Sequence, residues 1–464
     1  MMISARDSAS PAPHPYSSFP RDDADLLIGT APNDACEACV IVPVRNEERT
    51  LLETLRALAD QRDLNGTPLN HACYEVIVFA NDCTDHSAAL ARAFAARHPT
   101  LALHIIARSY PAGAFHIGHA RRMLMDEACR RLLLVGRRRG VIASTDGDTR
   151  VASTWITATL REVAQGADAV CGRIVTDRPD DSEAGRLTRQ YHLRDVGYRL
   201  LVAEMESLLN PDPHDPWPRH HQHFGASLAV TAGAYLRAGR LPVVPYLEDV
   251  ALYQALQRVD ARIRHSPAVR VTTSPRLMGR TEVGLAQQLR EWTAMGNARQ
   301  PQLVESAAAV EARLHAYYSL RILWHTIGRA DAVPAHAITA VAYSLGIQTG
   351  WLADSLAQQQ AFGALVEQVE RQQTVTGRWA ERWPAAEIIE AVFALRVRLV
   401  DLRRVVARSA AREEIEAVAV AALTTDVSQL RLRPRNECLM HGIAGEGIVG
   451  DKRRPMNKQQ MAAG

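Results

Sequence analysis

The first 37 residues lack the apolar run that a secretory signal needs. Ser, Pro, Ala and Asp dominate there, so a flexible leader is expected over 1–37. Cysteine is scarce: seven in 464 residues, an odd number among apolar neighbours, which makes no disulfide framework and fits a reducing, cytoplasmic setting. Cys36 and Cys39 form a C-x-x-C, yet no second such pair completes a tetrahedral zinc site, and Cys39 opens an apolar strand where a buried thiol is ordinary. Charge of one sign is lacking too. With 54 basic and 51 acidic residues the net is +3, and nucleic-acid binding is not expected. No internal repeat is present. Ala332 to Ala353 carries no Asp, Glu, Lys or Arg, but His336, Thr339, Ser344, Gln348 and Thr349 dilute it, so a buried helix pair is expected there rather than a membrane span.

What is present is a globular balance, 47% hydrophobic and 23% charged, on a chain longer than one core usually serves; a main domain and a second lobe follow. Short apolar runs at Cys39–Pro43, Tyr74–Ala80, Leu101–Ala107 and Gly140–Thr145 alternate with helical spacing at Glu48–Gln61, Ser87–Arg97 and Ile117–Leu134. Strand and helix in alternation imply right-handed crossovers and a mainly parallel sheet covered on both faces, an α/β fold with ligands beyond the carboxyl ends of its strands. From about Gly279 the texture turns helical. The expected organisation is 38–278 as the α/β domain, 279–432 as a helical lobe and 433–464 as a disordered tail. The loop Asn210 to His223, dense in Pro and His, reads as an active-site flap or an insertion.

Asp146-Gly147-Asp148 follows a buried strand directly, and two carboxylates at that edge suit Mg²⁺ or Mn²⁺ bridging a diphosphate. Taken alone the pair also reads as a solvated Asp-Gly turn. Further along, Glu248-Asp249 opens a helix running through Val250–Val259; capping is one reading, and Asp249 as a general base with Glu248 orienting the reactants is the other.

Five stretches in order resemble the family-2 glycosyltransferases. Val40 to Glu48 resembles the family's opening strand and V-P-x-x-N-E turn; Asn81-Asp82-Cys83-Thr84-Asp85 is similar to its D-G-S-T-D segment; Gly118-His119-Ala120-Arg121-Arg122 resembles its G-x-A-R-N helix start; Asp146 and Asp148 match its D-x-D, and Glu248-Asp249 its acceptor-side pair. The resemblance covers roughly residues 38 to 278 and implies a GT-A fold, a Rossmann-like sheet that binds a nucleotide-diphospho sugar. It implies donor binding by Pro43, Arg45, Asn46, Glu47, Asn81, Asp82, Arg121 and Asp146, a Mg²⁺ or Mn²⁺ ion on Asp146 and Asp148, and catalysis by Asp249 with Glu248. His265 stands where some members add a metal ligand, though a structural histidine is the plainer reading.

Two departures bear on substrate. Asn81 replaces the aspartate that accepts from uracil; an amide both accepts and donates, so UDP- and GDP-linked donors both stay open. Arg122 replaces an asparagine and adds positive charge near the diphosphate, which brings in a phosphorylated acceptor, with a solvated helix face as the alternative. Gln287-Gln288-Leu289-Arg290-Glu291-Trp292 resembles the Q-x-x-R-W of processive members with one residue inserted, and without spans to thread a polymer, Trp292 reads as a helical core or hinge residue and the transfer as a single, inverting one. A retaining synthase of the glucosyl-phosphoglycerate or mannosylglycerate type and a non-catalytic GT-A binding protein are the rival readings. Nucleotidyltransferases are disfavoured because no Gly-rich, Arg/Lys-bearing loop follows Pro43. His220, His221 and His223 either line an acceptor pocket or lie on the surface. The basic helix from Leu395 to Arg412 is the candidate for contact with an anionic membrane face and a lipid-linked acceptor, against a solvated helix.

Overall fold

Alternation along the first strand sets the architecture. In β1 (Ala38–Val44) every residue is buried, with Cys39 and Ile41 in one apolar cluster and Ala38, Val40, Val42 and Val44 in another. A strand packed on both faces reads as a continuous apolar run. The computed structural model describes residues 27–111, 115–177, 182–274, 283–328 and 334–424, side chains of 183, 184 and from 409 excepted, so most of the expected leader and all of the expected tail lie outside the described residues.

In chain order, β1 is followed by α1 (Leu51–Ala59), β2 (Tyr74–Asn81), α2 (Ser87–Arg97), β3 (Ala102–Arg108), α3 (Ile117–Leu134), β4 (Val141–Ser144), β5 (Thr149–Val151), α4 (Trp155–Ala164) and β6 (Ala169–Thr176). Next come α5 (Glu183–Leu209), β7 (Leu228–Thr231), α6 (Ala232–Arg237), α7 (Glu248–Arg258) and β8 (Ile263–Thr273). Eight strands pair in the order β3-β2-β1-β4-β7-β6-β8-β5. The β3-β2-β1-β4 half is parallel, β7 runs antiparallel to both its neighbours, β6 and β8 pair in parallel, and β5 closes the edge antiparallel to β8. Leu124, Ala128 and Leu132 of α3 cover one face; Leu51, Leu55 and Leu58 of α1, with Phe94 of α2 and Trp155 of α4, cover the other.

Proline inside a central strand needs an explanation, and the register supplies it. The Ile41 carbonyl accepts from Thr145, which puts odd-numbered residues of β1 on the β4 side, and β4 stops at the pair Ile41 with Ser144. The missing N–H of Pro43 therefore falls just beyond the end of that partner.

The helical part follows: α8 (Leu285–Asn297), β9 (Leu303–Glu305), α9 (Ala307–Gly328), α10 (Ala335–Leu345), α11 (Thr349–Gln358), α12 (Phe362–Thr376), α13 (Arg378–Arg382), β10 (Ala385–Glu387) and α14 (Ile388–Thr424). The apolar stretch around 332–353 is the helix pair α10 and α11, split at Gly346 in a left-handed turn with φ 71°, and no described helix is long and apolar enough to cross a membrane. The chain divides into two compact units, Met1–Arg404 and Val405–Gly464. Within the first unit, Tyr198 and Met205 of α5 share a core with Val310 and Leu314 of α9 and Leu395 and Leu399 of α14, so α9 and α14 pack on α5, while α10, α11 and α12 form a separate core with α9. Arg398 pairs with Glu311 at 2.8 Å and Arg403 with Glu204 at 2.6 Å, which commits part of the basic helix to the protein itself. Described residues of the second unit continue α14 from Val405.

Cys36 and Cys39 are fully buried, and Cys36 Sγ donates to the Ala38 carbonyl at 3.4 Å. The hydrogen bond from Cys36, with burial, pushes the Cys39 thiol well up, as expected of core thiols without redox or metal work.

Candidate active site

The parallel half of the sheet brings the ends of β1, β2, β3 and β4 to one edge, and hydrogen bonds tie their turns together. After β1 the chain enters a left-handed conformation at Asn46, φ 56°, which asparagine tolerates better than most residues. Asn46 Oδ1 accepts from the Thr84 amide at 2.8 Å, the Glu47 amide donates to Ser87 Oγ at 2.8 Å, and the Glu48 amide donates to Asp85 Oδ2 at 3.0 Å. Burial opposes the charge on Asp85, but the Ser87 hydroxyl and the Ser87 and Glu48 amides hold its carboxyl below its ordinary range. Asp82, also left-handed at φ 47°, accepts from the Tyr110 amide at 2.7 Å and joins the turn after β3. Asn81 ends β2 at 6% exposure, and its Oδ1 has no hydrogen-bond partner among the described residues. An unmet buried acceptor costs about 1–3 kcal/mol, which a ligand N–H would offset. Pro43 is buried inside β1, Glu47 is buried, and Arg45 is exposed.

The D-x-D turn is pinned to α1. The Gly147 carbonyl accepts from Thr54 Oγ1 at 3.1 Å and Thr50 Oγ1 at 3.4 Å, and a Cβ on Gly147 would lie 3.1 Å from Val44 Cγ2 and 3.3 Å from Glu47 Cγ. Both carboxylates, Asp146 and Asp148, are half-buried at the strand edge.

Arg121, in the second turn of α3, ties this turn to the other end of the site. Nη2 donates to Asp146 Oδ1 at 3.0 Å, Nε to Glu248 Oε1 at 2.9 Å, and Nη1 to the Gly225 carbonyl at 3.1 Å and to Ser144 Oγ. Burial works against its charge, but Asp146, Glu248 and Asp249 outweigh burial and raise the guanidinium pKa further. Glu248 is buried at 5% exposure; burial pushes its carboxyl up, with Arg121 pulling the other way. Asp249 Oδ2 accepts from the Gly225 amide at 2.7 Å and Oδ1 from the Val250 amide at 2.8 Å, leaving each oxygen a further lone pair.

The approach of α7 to α3 has a local cause. A Cβ at Gly118 would lie 2.1 Å from the Val244 carbonyl, so glycine lets the segment before α7 cross the first turn of α3. Arg122 fastens that segment, donating to the Leu241 carbonyl at 2.5 Å and to Asp126 Oδ2 at 2.7 Å. The positive charge expected of Arg122 at the diphosphate is thus directed elsewhere. Leu247 then turns the chain in a left-handed conformation, φ 56° and ψ 38°, a costly state for a bulky residue, directly before Glu248.

The Pro- and His-rich loop is anchored. Asp215, buried, accepts from the His265 amide at 2.8 Å, from Arg264 at 3.0 Å and from Arg219 at 3.1 Å, and faces His265 Nδ1 at 2.8 Å. Gln222 pairs through its amide with both backbone groups of Ile174, at 2.8 and 3.0 Å. A loop held this way is a platform, and the surface reading of its histidines does not hold: His220 is 3% exposed and His221 and His223 are half-buried. Burial above all pushes His220 and His221 down to about 3 and lowers His223. For His265 burial opposes protonation, yet Cys171 and Asp215 push it up to about 10. Its ring nitrogens face Asp215 and, at 3.3 Å, the Tyr253 hydroxyl, so the structure gives His265 no place in a metal shell with Asp146 and Asp148. Trp292 is buried beside Tyr191 and Leu289, a core residue as its spacing predicts.

Sequence reasoning passed over two contributors. Gly225 supplies both its carbonyl to Arg121 and its amide to Asp249, and its Cβ would stand 2.7 Å from the guanidinium carbon; a lone glycine after a histidine-rich loop carries no such signal. Thr54 is a polar residue on the buried face of α1 between Leu51, Leu55 and Leu58, and that misfit was the readable sign.

Among the described residues no group of three or more His, Cys, Asp or Glu converges as a complete metal site. A cation bridging a diphosphate needs only one or two carboxylates, the substrate and water supplying the remaining oxygens, so the half-buried pair Asp146 and Asp148 fits such an ion.

Residues 39–216 match the family model described as glycosyl transferase family 2. No curated protein matches the chain. Among solved structures, S. aureus TarS residues 1–349 in complex with UDP is 15% identical, with 67% of this chain and 71% of that chain covered and a TM-score of 0.36. The mannosyltransferase PcManGT from Pyrobaculum calidifontis, in complex with GDP-Man and Mn²⁺, is 17% identical over 80% of this chain and 89% of that chain, with a TM-score of 0.37. Scores this low say nothing of the site. The family match falls on β1 to β6 and the turns that carry Asn46, Asn81, Arg121 and Asp146, so residues 39–216 form a glycosyl transferase family 2 domain of the GT-A fold, and the protein is a glycosyltransferase.

Proposed function

We propose that the enzyme transfers one sugar, with inversion, from a nucleotide-diphospho-sugar donor to an acceptor hydroxyl. One observation carries this reading: Arg121 binds Asp146 and Glu248 at once, while Asp249 is held by the amide of Gly225, whose carbonyl Arg121 also takes. Donor and acceptor ends are thereby fixed in one buried network, and a fixed geometry is what an in-line displacement needs.

In this reading Asn46, Glu47, Asn81 and Asp82 frame the nucleoside end, with Pro43 setting the strand from which they turn and Arg45 at the exposed rim. Asn81 Oδ1 takes an N–H of the base, a donor that uracil and guanine both have, so UDP- and GDP-linked sugars remain alternatives. Asp146 and Asp148 would hold Mg²⁺ or Mn²⁺, whose charge would offset the charge developing on the departing diphosphate. Asp249 accepts the proton of the attacking hydroxyl. Its two amide donors fix its direction. Glu248, buried on Arg121, positions Asp146 through that guanidinium and does not move a proton.

Asp249→Asn keeps the shape and removes the base. Turnover should fall about 10²- to 10⁴-fold, while the donor still raises the melting temperature as in the wild type. Full turnover in the variant would remove Asp249 from this role, and full activity after EDTA would remove the cation.

A further inference from the structure

Exposed apolar side chains lie beside the contacts of Asp249 along the chain, and Arg199, whose charge reaches His221 and His223, is paired with Asp195 at 2.8 Å. Phe224, 41% exposed, immediately precedes Gly225, whose amide touches Asp249. Tyr246 at 38% and Leu247 at 45% immediately precede Glu248-Asp249, on a segment held over α3 by Gly118 and Arg122. Two separate stretches of chain that adjoin the residues holding or carrying this carboxylate thus each bear an exposed ring. The His223 ring joins them, 5.0 Å from the Phe224 ring and stacked on Tyr253 at 4.1 Å. Its Nδ1 lies 3.2 Å from the His221 carbonyl and so donates there, which leaves Nε2 as an acceptor in the neutral ring. Arg121, the guanidinium that Asp249 feels, is committed to Asp146, Glu248, Ser144 and Gly225.

Resting on the assignment of Asp249 as the base, we propose that the acceptor is an uncharged pyranoside, its C–H face laid on Phe224 and Tyr246 and one of its hydroxyls donating to His223 Nε2. A pyranose presents an apolar face and hydroxyl donors together, which aromatic rings and a neutral imidazole match. A phosphorylated acid would set a dianion against Asp249 and apolar rings, with Arg121 already engaged. Burial keeps His221 and His223 neutral near pH 7, so they add no positive charge for such an acceptor.

The test is saturation-transfer NMR on the whole protein with Mn²⁺-free Mg²⁺ buffer and UDP or GDP present, using a panel of methyl hexopyranosides and, separately, 3-phosphoglycerate. Ring C–H protons of at least one methyl pyranoside should receive saturation, Phe224→Ala should weaken that binding about tenfold, and Phe224→Tyr should restore it. In turnover, the same pyranoside should accelerate release of nucleoside diphosphate, with Phe224→Ala raising its KM. Preference for 3-phosphoglycerate, no pyranoside binding, or binding untouched by Phe224→Ala overturns the proposal. The NMR arm reads binding without chemistry. A wild type that binds pyranosides yet neither binds nor hydrolyses any nucleotide sugar would instead count against the transferase mechanism.

Discussion

Arg121 is 5% exposed and has carboxylates on two sides, so removing either partner leaves charge buried without compensation. Gly225 is the more revealing position. A methyl group there would stand 2.7 Å from the guanidinium, closer than such contacts occur, and the guanidinium cannot retreat without releasing Asp146 or Glu248. Gly225→Ala is therefore expected to lower kcat about 100-fold, the usual result of a displacement near 1 Å in a catalytic geometry. Steady-state kinetics, with circular dichroism confirming the fold, checks it. At this scale the sequence was informative where a residue type is tied to one chemistry: the carboxylates 146, 148, 248 and 249 were visible as candidates. For Arg122 and His265 the sequence left two readings open, because a cation and an imidazole serve structure as readily as substrate, and what the structure adds is their partners, the Leu241 carbonyl and Asp215.

Elements were read well where both faces are buried and poorly where one strand runs against the rest. The helix expected over Ile117–Leu134 is α3 with the same ends, and the run Tyr74–Ala80 is β2 with one residue more. The antiparallel course of β7 was not legible, because apolar content does not encode direction and the long connection through α5 and the His-rich loop hides the return. That loop is also an element, pinned by the Asp215–His265 pair. The His265 pKa is raised from its ordinary value to about 10, so the pair contributes its full stability below about pH 6.5 and loses it as pH rises through 10. His265→Gln should lower the melting temperature at pH 6 and should flatten the decline that the wild type shows between pH 7 and 10. Thermal melts across that range decide the matter; parallel curves for the two proteins would dissociate the loop from this titration.

For the molecule as a whole, α7 joins the candidate active site to the helices. Its N-terminus carries Glu248 and Asp249, and its C-terminal end meets α12 so closely that a Cβ on Gly363 would lie 1.8 Å from the Gln257 carbonyl. Asp260 accepts from the amides of Phe362 and Gly363 at 2.9 and 2.7 Å, and Arg258 pairs with Glu367 at 2.6 Å. Gly363→Val should separate the two helices, lower stability by about 1–3 kcal/mol, and reduce kcat with little change in donor affinity; denaturant melts and donor titrations measure both. The sequence announced helices after 279 but not this contact, since packing between distant helices leaves no periodic trace.

The pairing of Ser144 with Leu228 has a consequence for how this enzyme could change over time. Ser144 precedes the D-x-D by two residues, and Leu228 follows Gly225 by three. The chain between the two strands can lengthen or shorten without moving either residue, because the ladder measures their separation and the loop does not. A slip of one rung would be another matter, since it would carry Gly225 away from Asp249 and exchange the side chains of β7 between the two buried faces of the sheet. Substrate range is thus free to drift through the intervening helix and loop, while the distance between the two chemical ends stays gauged by four backbone pairs.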